Sequence, residues 1–198
     1  MAHPRDAGEV YASRTAPRRV LRCRRSPTAG GVMAEPAIET RTFRETMGRF
    51  ATGVTVVTVA HGGKTRGMTA NSFTSLSLDP PLLLICVDHR ASMHAIFEEA
   101  EAFAVNVLAH DQKALSQFFA SPGEKEGPMG GQPFHEGPTG SPILDGVMAW
   151  MDCRIEQQYD GGDHTIVVGR IQEMRVERPD ASPLVFFGGK YYGLGETL

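Results

Sequence analysis

The sequence is poor in the residues that build metal centres and disulfide frameworks. It holds 3 Cys in 198 residues, Cys23, Cys86 and Cys153, with no CxxC pair, and its 7 His form no HExxH run. A zinc site needs thiolates and imidazoles clustered at short spacing, so no metal is expected. Cys86 and Cys153 each fall in a strand candidate and read as buried free thiols of a reducing, cytoplasmic compartment. No apolar run approaches the roughly 18 residues that cross a bilayer. The sequence also lacks GxGxxG, GxxxxGK[ST] and GxSxG. Their absence disfavours a doubly wound nucleotide fold, a P-loop and a nucleophile elbow. No pair of carboxylates stands at a spacing suited to acid–base work.

Cationic charge is scarce outside one end. The net charge is −3, while residues 1–34 hold seven Arg against Asp6 and Glu9, a local balance of about +5 that leaves about −8 for the rest. The body is therefore a poor partner for nucleic acid. Residues 1–37 lack hydrophobic periodicity and read as a disordered Arg-rich extension, with Met33 a second possible start. The pairs Arg18–Arg19 and Arg24–Arg25 resemble an export signal, but no apolar stretch follows either. At 41% hydrophobic and 22% charged, residues 38–198 suffice for one globular domain.

The periodicities are mostly those of short strands. Phe43, Met47 and Phe50 mark one face of a helix over 42–51, ended by Gly53. Val54–Ala60 is β-branched and precedes a His61-Gly62-Gly63-Lys64 turn, which makes 65–72 its hairpin partner. Leu82–Asp88 reads as a strand buried on both faces. Ser92 is placed to cap a helix over 93–101, and Asp111 to cap a second over QKALSQFF. Phe103–Leu108 is a further strand, and 147–159 alternates as another, with Val147, Ala149, Met151, Cys153 and Ile155 on one face and Trp150, Asp152, Arg154 and Glu156 on the polar one. His164–Val176 is another, with Gly169 a possible bulge, and a last hairpin spans Gly188-Gly189. Residues 120–142 are a long Gly/Pro-rich loop. Seven or eight strands with a few short helices suit a closed antiparallel barrel.

The stretch most charged with chemical meaning is Gly67–Pro81, GMTANSFTSLSLDPP. Its short hydroxyl and amide side chains on extended backbone can meet a flat polar partner and its phosphate. A Ser/Thr-rich edge strand explains the same residues equally well. Arg90 can neutralise a phosphate or be a solvated surface charge. His164, after Gly161-Gly162-Asp163, is a turn residue or a group that orients a second ligand or donates a proton.

Taken in order, several segments resemble the flavin reductase family with the FMN-binding split-barrel fold. They are FRETMGRFATGVTVVT (43–58), GMTANSFTSLSLDPPLLLICVD (67–88), Ser92, FAVNVL (103–108), the Gln112–Phe119 helix, DHTIVVGRI (163–171) and PLVFFGGKYYGL (183–194). The similarity covers roughly residues 40–195. It implies a mainly β protein, a six-stranded Greek-key split barrel with a few short helices, usually a homodimer. It implies an NAD(P)H:flavin oxidoreductase that binds FMN or FAD, oxidises NADH or NADPH and passes reduced flavin to a partner monooxygenase. A flavin-binding carrier or redox sensor without turnover is the alternative.

The same resemblance assigns residues. Asn71 and Ser72 match positions beside the flavin ring and ribityl chain, with Thr69 and Ser75 in the same motif. Cys86, Val87 and Asp88 match a strand end along the flavin. Ala91 and Ser92 match the phosphate turn, and Phe118 and Phe119 the helix end over the flavin tail. Thr65, Arg66, Gly67, Met68 and His164 match positions that meet the nicotinamide nucleotide, as do Gly188, Gly189, Lys190 and Tyr191. His164 is the one catalytic candidate, as the group that orients the nicotinamide.

Overall fold

The structure, a computed structural model, describes residues 38–123 and 125–196. The Arg-rich segment 1–37 and Cys23 lie outside the described residues. The chain forms helix α1 (Thr40–Met47), strands β1 (Thr52–Gly53), β2 (Thr55–His61), β3 (Lys64–Ala70), β4 (Phe73–Leu78) and β5 (Pro81–Asp88), then α2 (His94–Glu99) and β6 (Ala102–Val107). After α3 (Lys113–Ala120) come β7 (Phe134–Glu136), β8 (Pro142–Leu144), β9 (Ala149–Asp160), β10 (His164–Val176), β11 (Val185–Phe187) and β12 (Lys190–Tyr192).

Seven strands make one antiparallel sheet in the order β3-β2-β6-β9-β10-β5-β4. The resemblance implied a six-stranded core, and the strand pattern a closed barrel; the sheet has seven strands and is not closed. Its first and last members, β3 and β4, are consecutive in sequence and joined only by Asn71 and Ser72. Two residues span less than about 10 Å from strand to strand, so the sheet must curl until its two margins meet at that corner. No β3–β4 ladder continues from the corner, and the sheet stays split beyond it. The corner is clamped: the Ser72 hydroxyl donates to the Cys86 carbonyl at 2.8 Å, and the Cys86 N–H reaches both the Ser72 carbonyl (3.3 Å) and Oγ (3.2 Å).

The turn readings at both hairpins hold. Gly62 and Gly63 take φ of +57° and +73°, the left-handed values that a two-residue hairpin needs. The β9–β10 register slips between Val168 and Gly169, a bulge at the expected glycine. A Cβ at Gly169 would stand 2.6 Å from the ring of Phe103, so the close approach also requires glycine.

Two apolar clusters occupy the two faces of the sheet. One holds Val57, Val59, Leu83, Ile85, Val87, Phe103 and Val167 with Phe97 of α2. The other holds Val54, Val56, Leu108, Ile143, Leu144 and Trp150 with Phe119 of α3 and Met129. Strand β2 therefore feeds both clusters, as its unbroken β-branched run requires. β5 does not: Leu83, Ile85 and Val87 are buried while Leu82, Leu84, Cys86 and Asp88 are half-buried, so it alternates instead of burying both faces. The opposite correction applies to β9. The first part of its polar face, Trp150 and Asp152, is covered by the 134–144 segment, where buried Asp152 accepts from the Thr139 N–H (2.7 Å) and hydroxyl (2.5 Å), while Arg154 stays exposed.

Three helix readings change. α1 ends at Gly48, not Gly53, because Thr52–Gly53 already pair with Val185–Phe186. It buries none of its residues, and Phe43 and Met47 remain 55% and 56% exposed. Ser92 does not cap α2, whose N-cap is Met93 without a side-chain bond. Asp111 does not cap α3: it pairs with Arg178 at 2.8 Å, while the Gln112 carboxamide accepts the Ala109 N–H.

Candidate functional site

A groove of about 900 Å³ runs beside the split in the sheet. One wall is β3 from Lys64 to Ala70, the floor is the Asn71–Ser72 corner with Cys86 and Asp88, and the far wall is the 90–93 turn with Ile96. Phe119 and the segment that follows α3 close one end, and His164 stands at the first residue of β10. The volume lies within the range of small-molecule sites.

The groove brings together Thr65, Arg66, Gly67, Met68, Thr69, Asn71, Ser72, Cys86, Asp88, Ala91, Ser92, Phe119 and His164, thirteen of the residues assigned from sequence. It does not take in the others. Val87 is fully buried because alternation on β5 sends Cys86 and Asp88 to the groove and Val87 to the core. Ser75 is exposed on β4 opposite Leu83. Phe118 packs behind Phe119 with its ring at 89° and 5.0 Å. The hairpin carrying Gly188, Gly189, Lys190 and Tyr191 stands beyond α3. The Tyr191 hydroxyl bonds Ser116 Oγ at 2.9 Å, while the Ser116 carbonyl accepts from Thr69 Oγ1 at 2.6 Å. The hairpin thus braces the helix, and the helix braces β3.

Polar groups in the groove are largely fixed before any ligand arrives. Asp88 accepts from the Arg90 N–H at 2.8 Å and from its guanidinium at 3.2 and 2.8 Å. These bonds hold the Asp88 carboxyl far below the usual carboxylate range. Arg90 therefore enters the site as half of an ion pair. His164 Nδ1 lies 2.7 Å from Asp163 Oδ1, and that bond holds the Asp163 carboxyl below its usual range. With Asp163 accepting at Nδ1, the neutral ring presents Nε2 as its acceptor. His164 also pairs in register with Asp88, which puts the ring and the Asp88–Arg90 pair at adjacent strand positions. Burial pushes the Cys86 thiol up, so it meets the groove as a neutral group.

Sequence reasoning missed the wall after α3. Ser121, Gly123, Lys125, Met129 and Gly130 line the groove, but no apolar period marks them. The left-handed glycines at 123, 127, 130 and 131 were the available signal. Among the described residues no group of His, Cys, Asp and Glu could hold a metal ion, and no helix is long and apolar enough to cross a membrane.

Residues 47–195 match the family described as flavin reductase like domain. The chain belongs to that family. The reductase subunit of a flavin-dependent monooxygenase from Rhodococcus jostii is 40% identical over 170 residues, 84% of each chain. A flavin reductase from Pseudomonas putida is 40% identical over 158 residues, 79% of this chain and 91% of its own. Among solved structures, the NADH:FAD oxidoreductase of Streptomyces globisporus in complex with NAD and FAD fragments superposes with a TM-score of 0.74. It is 37% identical and covers 83% of this chain and 98% of its own. A flavin is a flat heterocycle with a phosphorylated tail, and the groove residues fit such a group. Met68, Ala70, Ala91, Met93 and Ile96 give apolar flanks, while Asn71, Ser92, Lys64 and Arg66 supply hydrogen-bond donors.

Proposed function

We propose that this flavin reductase like chain oxidises a nicotinamide nucleotide, NADH or NADPH, and reduces FMN or FAD for a partner monooxygenase. The observation that carries the reading is one continuous groove with both sets of residues on it: Asn71, Ser72, Asp88 and Ser92 for the flavin, Thr65–Met68 and His164 for the nicotinamide. Bound flavin supplies the acceptor for two electrons. The chain's own residues bind and orient. Asn71 and Ser92 present polar groups to the ligand, and Asp163 fixes the tautomer of His164 so that its Nε2 can orient the nicotinamide amide. Holding two reactants in register is the main source of rate in such a reaction.

The test is NADH and NADPH consumption by the purified protein with and without added FMN or FAD. Oxidation that depends on flavin supports the reading; none with either nucleotide and either flavin removes it. A second reading, a flavin carrier or redox sensor without turnover, draws on one observation: Gly188–Tyr191 stand outside the groove. That reading expects flavin binding with no nucleotide oxidation. A homodimer is supported by the exposed apolar side chains of α1 and by Leu76 and Leu78 of β4, which are 50% and 92% exposed. A cytoplasmic setting is supported by the free thiols Cys86 and Cys153.

A further inference from the structure

Arg90, Ala91, Ser92 and Met93 line the groove from the turn between β5 and α2, and a histidine stands at each end of that turn, His89 and His94. The turn shapes itself: the Ala91 N–H donates to the Asp88 carbonyl and the His94 N–H to the Ala91 carbonyl, both at 2.9 Å. These bonds are internal and do not fix where the turn stands on the sheet. Met93 is the one buried side chain in 89–94, and it anchors the end next to α2.

The rest of the hold comes from the residues that lead into β10. The His89 N–H donates to the Asp163 carbonyl at 3.0 Å. His94 Nε2 lies 2.9 Å and His89 Nε2 3.3 Å from Thr165 Oγ1. The two rings meet edge to face, with centroids 4.7 Å apart. One buried hydroxyl therefore touches both ends of the turn. A hydroxyl carries one proton and has lone pairs to spare, so it can donate to one imidazole and accept from the other. Alternation on β10 puts His164 on the groove side and Thr165 on the α2 side. Three consecutive residues thus serve both halves of the site. The Asp163 carboxylate fixes the ring of His164, the Asp163 carbonyl holds His89, and Thr165 holds both rings of the turn.

We propose that Thr165 is a positioning residue: its hydroxyl clasps His89 and His94 and so sets the turn that carries Ser92 against His164 across the groove. The inference rests on the reductase reading, in which this turn meets the flavin phosphate. Valine has nearly the shape of threonine but no hydroxyl, so Thr165→Val leaves both Nε2 atoms facing an apolar surface. A polar group that loses its partner under cover is driven toward water, and the rings take the turn with them.

The experiment compares wild type, Thr165→Val and Thr165→Ser as full chains. Fluorescence titration gives the affinities for FMN and for riboflavin, which has the same ring system and no phosphate. Hydrogen exchange without ligand reads residues 89–94. Thr165→Val should weaken FMN binding about tenfold, change riboflavin binding by no more than about twofold, and quicken exchange at 89–94 but not in β9. Thr165→Ser keeps the hydroxyl and should bind FMN within about twofold of wild type. A valine variant that binds FMN as wild type does, or that loses FMN and riboflavin to the same degree, overturns the proposal, as does a serine variant as weak as the valine one. If wild type oxidises NADH with FMN in that case, only this inference falls. If wild type oxidises neither nucleotide with FMN or FAD, the reductase reading falls, and the FMN titration and the exchange at 89–94 still judge the clasp.

Discussion

His164 Nδ1 and Asp163 Oδ1 are 2.7 Å apart, on neighbouring residues at the mouth of the groove. The carboxylate sets the ring's tautomer from the solvent side, and the ring lines the site. Replacing His164 by Ala should slow flavin reduction by NADH about tenfold, roughly 1.4 kcal/mol in the barrier, with flavin affinity nearly unchanged. Anaerobic rapid mixing measures the first and fluorescence titration the second. An unaltered rate would remove His164 from the mechanism.

The same pair fixes a pH dependence. The hydrogen bond from His164 lowers the Asp163 carboxyl, and bonds from Arg90 lower that of Asp88. A carboxyl depressed in the fold stabilises it above the ordinary value of about 3.9, and that contribution is lost as pH falls below it. Both groups are therefore ionised throughout neutral pH. The rate profile between about pH 5 and 8 should show no limb from either carboxyl, and Asp163→Asn should lower the rate at neutral pH. A limb near pH 5 that Asp163→Asn abolishes would contradict the assignment.

Gly67→Ala should destabilise the protein by about 1–3 kcal/mol. A Cβ there would stand 2.8 Å from Phe119 Cε1 and 3.1 Å from Met129 Cε, and both side chains are almost wholly buried. Urea denaturation checks the value. Phe119→Leu in the same chain should recover part of the loss, since it removes the nearest ring.

Thr65→Val removes the acceptor of the Met129 N–H. Leaving a buried amide unpaired costs about 1–3 kcal/mol. The loss should be local: hydrogen exchange should quicken over residues 127–131 and not over β9. Unchanged exchange there would show that the packing of Met129 alone holds the wall.

Burial pushes the Cys153 thiol up to about 12, and that of Cys86 is raised as well. At pH 8 only about one Cys153 in 10⁴ is then a thiolate. Iodoacetamide should leave Cys153 unmodified in the native protein and label Cys86 slowly, more slowly with FMN present, as peptide mass spectrometry can read. The raised values carry a second sign. Because the unfolded thiols ionise near pH 8.5 and the folded ones higher, stability should decline as pH rises above about 8.5. Rapid native labelling of Cys153 would mean that the core opens.

Strand positions were legible in the sequence because alternation and β-branching are local. His164–Val176 and the two glycine turns fall where they were expected. Thirteen of the residues assigned to the site line one groove, because the GMTANS segment and the 86–92 turn are each continuous in the chain. What could not be read was set by distant partners. Asp111 looks like a helix cap until Arg178 arrives from the other end of the chain. Trp150 and Asp152 look solvent-facing until residues 134–144 cover them. Gly188–Tyr191 resemble pocket residues, yet α3 stands between them and the groove. The wall at 121–131 carries no hydrophobic period and owes its shape to left-handed backbone, a feature that a lone sequence displays only as glycine.

The split that shapes the groove also leaves two bare margins, and they differ in risk. Helix α3 and the 127–131 segment pack against β3 and are bonded to it through Thr69 and Thr65, which obstructs strand addition on that side. Among the described residues β4 has no such guard, and it displays Leu76 and Leu78 to water. Self-association during storage or overexpression should therefore start at β4. Leu78→Lys removes apolar area from that margin and from the proposed homodimer surface alike, so it should lower aggregation and dimer content together, as light scattering can read.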